Sequence, residues 1–294
     1  MKTIEKYPVI MLVIGILGIS LSAIFVRFST APSVVTAAYR LLWTVLLMTP
    51  YALGSPSIRG ELKSLSKQTV LLCIISGVFL AFHFYWWFES LRHTSVASST
   101  VIVCTEVIWV AIGFCIFLKG HLSKRALLAI GITLFGSILV ACSDSSGGGG
   151  HLYGDFLSLI AAIAVAAYTL IGRIARKHMT TTSYTYIVYG SCAAVLCMLT
   201  YLQGYALFPL KKDAATVGFL LAVCSTLLGH SIFSWCLKYM SPAFISASKL
   251  CEPVVASLFA LFLFMEIPGW LQIMGGVIIL AGVIYYSKLP DADL

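Results

Sequence analysis

A chain of 294 residues with 60% hydrophobic and 10% charged side chains, at mean hydropathy +0.99, is not a water-soluble domain, since such domains carry about 25% charged residues. The net charge of +8 does not make it a nucleic-acid binder, because Lys and Arg punctuate the ends of apolar blocks and gather into no patch. The nine cysteines lie in or beside apolar blocks without metal-type spacing, and read as small, reduced packing residues.

The apolar blocks run for about 20 residues, the length a helix needs to cross about 30 Å of hydrocarbon. They are continuous rather than alternating, which favours helices over a barrel. The pattern predicts an all-α membrane protein with spans near 8–28, 33–53, 69–91, 95–118, 124–142, 152–172, 183–203, 215–237, 242–265 and 269–287, ten in all. The first block is too long for a signal-peptide core and is followed by nine like it, so it reads as a span. Prolines such as Pro8, Pro32, Pro209, Pro242 and Pro268 fall near the proposed ends, and Ser145–Gly150 reads as an exposed tether.

With the N-terminus in the cytoplasm, thirteen of the nineteen Lys and Arg residues fall on that side. Arg27, Arg92, Lys211 and Lys212 fall outside, and Arg40 and Lys249 lie within spans. The bias predicts both termini in the cytoplasm of a cell-membrane protein.

Shifting the chain by 146 residues aligns Leu91 with Leu237, Ser95 with Ser241, Ala97 with Ala243, Glu106 with Glu252, Ile132 with Ile278, Leu134 with Leu280 and Gly136 with Gly282. The glutamate match carries most weight, because glutamate inside a membrane is rare. Residues 1–145 and 151–294 are therefore expected to be two five-helix repeats. An odd number of spans per repeat makes their topologies inverted, with a binding site near the midplane between them.

Polar groups inside the spans are the candidate site. Three roles are open to Arg40: snorkelling outward, pairing with an acid, or touching substrate. His83 and His230 fall one residue apart under the shift, His83 sharing a helix face with Trp87 and His230 with Ser234. Trp86, Trp87, Trp109, Trp235 and tyrosines such as Tyr168 are candidates for an aromatic wall. Glu89, three residues before Arg92, is expected to form a boundary salt bridge with it, and Glu266 to be structural. Glu106 and Glu252 sit near mid-depth in spans four and nine. Lys249 lies one turn before Glu252, spaced to pair with it or to stand as a cationic docking point for a substrate carboxylate or other anion, whereas Val103 holds the matching place before Glu106. With no ionisable neighbour on its own helix face, Glu106 is the candidate proton carrier. The expected cavity residues are Arg40, His83, Trp87, Glu106, Tyr168, His230, Lys249 and Glu252.

No phosphate-binding loop, H-E-x-x-H or G-x-S-x-G occurs, and the glycine run at 147–150 lacks the Lys-Ser/Thr that cradles phosphate. No cofactor or metal is expected. An intramembrane enzyme using the two glutamates as acid and base would lack a recognisable nucleophile. A bundle of this kind could also be an uncoupled facilitator or a non-transporting membrane scaffold.

Several segments resemble the EamA-type members of the drug/metabolite transporter superfamily along essentially the whole chain. They are SLSAIFVRFSTAPSVVTAAYRLL with Arg40, HFYWWFESLRHTSVASSTVIV, GDFLSLIAAIAVAAYTLIGRIAR, and LGHSIFSWCLKYMSPAFISASKLCEPVVASLFALFLFMEIP with Glu252–Pro253 and Glu266. Two departures stand out: Val107 replaces a usual proline in span four, and Gly120 a usual glutamate at its end. The resemblance implies a secondary transporter, often an exporter, of a small metabolite such as an amino acid or a drug-like compound. It would act in the bilayer as a monomer or homodimer, without nucleic acid, through a cavity lined by both repeats.

Overall fold

The computed structural model describes residues 8–94, 96–144, 152–177, 179–209, 212–264 and 269–290. Its regular elements are helices. In chain order they are α1 (Pro8–Ser20), α2 (Ser22–Arg27), α3 (Ser33–Gly54), α4 (Pro56–Ser64), α5 (Lys67–His93), α6 (Val96–Cys104), α7 (Glu106–Phe117), α8 (Lys124–Asp144), α9 (Leu152–Ala175) and α10 (Thr181–Leu202). Then follow α11 (Lys212–Leu220), a π-helix (Leu221–His230), α12 (Ser231–Cys236), α13 (Pro242–Lys249), α14 (Glu252–Phe264) and α15 (Trp270–Ser287). The 145–150 segment and Glu266 lie outside the described residues.

Side-chain caps set several helix starts. Ser66, Thr180 and Ser241 accept from the backbone N–H three residues on, at 3.1, 3.3 and 3.2 Å. Each such cap is worth about 1 kcal/mol. Pro56 and Pro242 occupy the first helical turn, where a missing N–H costs nothing.

Among the described residues, eight helical segments are long and apolar enough to cross a membrane. The two other predicted spans are helical as well. The α8 helix has 21 residues, opening on Lys124–Arg125 and closing on Asp144. The ninth is broken into an 8-residue and a 13-residue piece, α13 and α14.

Polarity runs inside out, as lipid demands. Leu46, Leu71, Ile116 and Val277 point outward, while Ser, Thr and the span charges are buried. The α3 helix packs on α10, α8 on α15, α5 on α9, and α1 against the π-helix and α12. Under the 146-residue shift α3 coincides with α10, α8 with α15, α1 with α9, and α5 with the α11–α12 run, so the packing of α5 on α9 has its counterpart in that of α1 on the π-helix and α12. The α8–α15 seam is closed by two glycines: a Cβ on Gly136 would meet the Gly275 carbonyl oxygen at 2.7 Å, and one on Gly275 the Gly136 oxygen at 2.6 Å. Only glycine allows helices so close.

Candidate functional site

Two interrupted helices create the site. Between α6 and α7 the Thr105 amide bonds three residues back, to Ile102 O at 3.1 Å. Between α13 and α14 the Cys251 amide does the same, to Ser248 O at 3.1 Å. These two bonds are 146 residues apart at both ends. A tightened turn of this kind ends the α-helical ladder and lets a second helix start in a new direction. In each case the first residue after the break is a glutamate, Glu106 or Glu252. Its position at a helix N-terminus favours an anionic ligand or side chain.

The carboxylates differ in their partners. Lys249, at the end of α13, does not pair with Glu252 as its helix spacing predicts. Its Nζ lies 2.8 Å from Glu106 Oε1, across to the other half, with the ammonium 5.2 Å from the Phe233 ring centroid. The break after Lys249 explains this correction, because a helix that stops there no longer holds residue 252 on the same face. Glu252 makes no hydrogen bond or ion pair among the described residues. It borders a narrow cavity of about 30 Å³, enough for about two waters. Its wall includes Ser22, His83, Trp87, Val103, Cys104, Glu106, His230, Ser246 and Lys249. Glu106, Lys249 and Glu252 are 6%, 6% and 9% exposed.

Arg40 neither snorkels outward nor pairs with an acid. It is fully buried, donates from Nε to Thr226 Oγ1 at 2.7 Å and from Nη1 to Ser22 Oγ at 3.4 Å, and stacks 4.0 Å over the Phe84 ring. Its charge is thus held by hydroxyls and an aromatic face rather than by a carboxylate. It reaches the cavity through Ser22, which lines the wall. Thr226 is presented by the π-helix, and hydroxyls there and at the start of α12 satisfy carbonyls five residues back: Thr226 Oγ1 donates to Leu221 O at 3.2 Å and Ser231 Oγ to Thr226 O at 3.2 Å.

His83 and His230 come together, ring centroids 6.3 Å apart, and His83 stacks on Trp87 at 6.0 Å. His83 Nδ1 lies 3.0 Å from Ala161 O; a carbonyl only accepts, so Nδ1 carries a proton and donates it there. His230 Nδ1, Trp87 Nε1 and Ser246 Oγ are buried without partners. Tyr168 lies behind this layer, its hydroxyl bonded to Ser234 at 2.8 Å and its ring 6.1 Å from His230. Glu89 pairs with His93 at 3.1 Å, one turn on, and not with Arg92 as expected.

Both ends of the bundle are tied. At the C-terminal end of α3, Glu61 on α4 accepts from the Thr180 amide at 2.7 Å and from the Thr180 and Ser183 hydroxyls at 2.5 Å each. Burial alone would push the Glu61 carboxyl up; the hydrogen bonds from Ser183 and Thr180 outweigh it and hold the carboxyl below its usual range. At the other end of α3, about 33 Å away for a 22-residue helix, Thr30 donates to Asp213 and Tyr39 donates to Leu207 O at 2.5 Å.

Sequence reasoning missed Ser22, Val103, Ser246 and Thr226. A hydroxyl or valine in an apolar block looks like packing; Ser22, Val103 and Ser246 line the cavity, and Thr226 binds Arg40. Among the described residues no cluster of three His, Cys, Asp or Glu could hold a metal ion.

A polytopic helical bundle with charged groups gathered around an internal cavity defines a membrane transporter rather than an enzyme. The sequence model of the EamA-like transporter family matches residues 6–142 and 152–288, and the chain belongs to that family. An uncharacterized transporter of Archaeoglobus fulgidus is 23% identical over 234 residues, 76% of this chain and 78% of the relative. The uncharacterized transporter YxxF of Bacillus subtilis is 23% identical over 95% of this chain and 87% of its own. The pseudopaline exporter CntI of Pseudomonas aeruginosa is 21% identical over 76% of this chain and 78% of its own. A solved crystal structure superposes with a TM-score of 0.75 at 14% identity, covering 95% of this chain and 96% of that one. At that identity it shows the shared fold alone.

Proposed function

We propose that this EamA-family transporter is a secondary exporter of a small metabolite, with ten spans in two inverted five-helix repeats, residues 1–145 and 151–294, and both termini in the cytoplasm. The halves rock against each other around the central cavity, opening it to one side at a time. The single observation that carries this reading is the burial of Arg40, Glu106, Lys249 and Glu252 within the bundle, the last three around one narrow cavity. Charges at this depth cost about 2.5–3.5 kcal/mol each on insertion scales, a cost that a transport pathway explains and a plain scaffold does not. The recurrence of contacts under the 146-residue shift and the named exporter among the relatives support the repeat architecture and the outward direction.

The proton-carrying role expected of Glu106 passes to Glu252 on this geometry, because Lys249 neutralises Glu106 and leaves Glu252 without a counter-ion. His83, Trp87 and His230 line the path, and Tyr168 supports it. Counterflow in proteoliposomes, screened over amino acids, nucleosides and organic cations with and without a pH gradient, tests the proposal. Saturable counterflow driven further by the gradient is expected. Counterflow indifferent to the gradient reduces the protein to a facilitator, and none with any solute contradicts transport.

A further inference from the structure

We infer that the cavity takes the ammonium group of an amine-bearing substrate at Glu252, in competition with a proton, the chain's own Lys249 at Glu106 being the template for that contact. The inference rests on the transport reading and names the substrate class for it.

Glu106 and Glu252 occupy matching places. Each opens the helix after a tightened turn, and the two turns are 146 residues apart. At Glu106 the protein supplies a primary ammonium of its own, the Lys249 Nζ at 2.8 Å, beside an aromatic ring. The residue that would do the same for Glu252 is the one in register with Lys249, and it is Val103. Val103 and Glu252 line the same cavity. One half-site is therefore filled by a lysine, and its counterpart holds a carboxylate, a valine in place of the amine, and room for about two waters, which an ammonium group can take.

The charges facing Glu252 from the surrounding elements fit this assignment. Lys249 on α13 is committed to Glu106 on α7. Arg40 on α3 is held by Thr226 and Ser22 and stacks on Phe84. His83 on α5 and His230 at the end of the π-helix are held among aromatic rings, and Cys104 closes α6. The carboxyl oxygens of Glu252 thus remain for a mobile cation. An ammonium satisfies them with charge-assisted hydrogen bonds, and the faces of Trp87 and the two imidazoles suit its neighbouring methylenes and charge. A proton satisfies the same group, so the two exclude each other, and each bound amine sends a proton back to solvent. A carboxylate-only solute meets Glu252 with like charge and is rejected.

The test compares phenethylamine, phenylalanine and phenylpropionate, which share an aryl group and differ in charge, by titration calorimetry on the full chain in detergent. We expect phenethylamine to bind most tightly, and to weaken as the pH falls, over a range in which an alkylamine stays charged. Binding in a weakly buffered solution should release a proton. Glu252→Gln should weaken phenethylamine by about tenfold or more, flatten its pH dependence and abolish proton release. Val103→Lys should put an ammonium on Glu252 and exclude phenethylamine, while Val103→Met leaves it bound. Should Val103→Lys not fold, Glu252→Gln decides alone. No phenethylamine binding, tighter binding of phenylpropionate, or an unchanged pH profile in Glu252→Gln overturns the inference. Counterflow of phenylalanine or phenylpropionate without phenethylamine overturns it too, while leaving the transport reading intact.

Discussion

Lys249 Nζ stands 2.8 Å from Glu106 Oε1, 143 residues away in sequence, and joins α13 to α7. Both side chains are buried. Removing one member of such a pair leaves the other charge uncompensated, at about 3–5 kcal/mol. Lys249→Met should therefore lower the thermal unfolding midpoint in detergent sharply, and the double variant Lys249→Met/Glu106→Gln should recover most of the loss. Additive effects of the two substitutions would show that the pair is not coupled.

Arg40 holds α3 to α2 and to the π-helix through two hydroxyls and a ring. A lysine lacks the planar fork that reaches Thr226 and Ser22 while stacking on Phe84. Arg40→Lys should destabilise the protein more than Thr226→Val, which removes one hydrogen bond to a charged group worth about 1.5–3 kcal/mol. Unfolding followed by circular dichroism compares them; Arg40→Lys matching the parent would refute the anchoring role.

Much of this was legible in the sequence. Lipid penalises charge so heavily that Arg40, Glu106, Lys249 and Glu252 stand out in their apolar blocks, and His83, His230 and Trp87 follow from shared helix faces. The bond partners were not legible. Helix spacing assigns Lys249 to Glu252 only if the helix continues, and the break at Leu250–Cys251 removes that premise. The π-helix that offers Thr226 to Arg40 leaves no mark in the apolar pattern of 221–230.

Glu61 ties α4 to the start of α10, and its hydrogen bonds hold its carboxyl below the usual range. A group lowered in the folded state adds stability that is present above its unfolded value and is lost as pH falls through the folded one. The unfolding midpoint of the parent should thus drop more steeply with acidification below about pH 4.5 than that of Glu61→Gln. The group is only partly buried, so the contribution is at most about 1 kcal/mol. Parallel pH profiles for the two proteins would rule it out.

Gly136 and Gly275 let α8 and α15 touch through their backbones. Leucine at position 136 has to push the helices apart, at about 1–3 kcal/mol for an overpacked contact. Gly136→Leu should lower the unfolding midpoint and the yield of monodisperse protein, whereas Gly131→Leu, at a site with no neighbour within 4 Å, should not. Equal behaviour of the two would contradict the seam.

The most direct test of alternating access uses Cys104, a free and buried thiol in the cavity wall. Transport-competent vesicles of known orientation would be treated from either face with a membrane-impermeant methanethiosulfonate, and the Cys104 peptide quantified by mass spectrometry. The account predicts labelling from each face in turn, slowed from both by a transported solute. Labelling from neither face, or from one face only, in vesicles that still transport would contradict it.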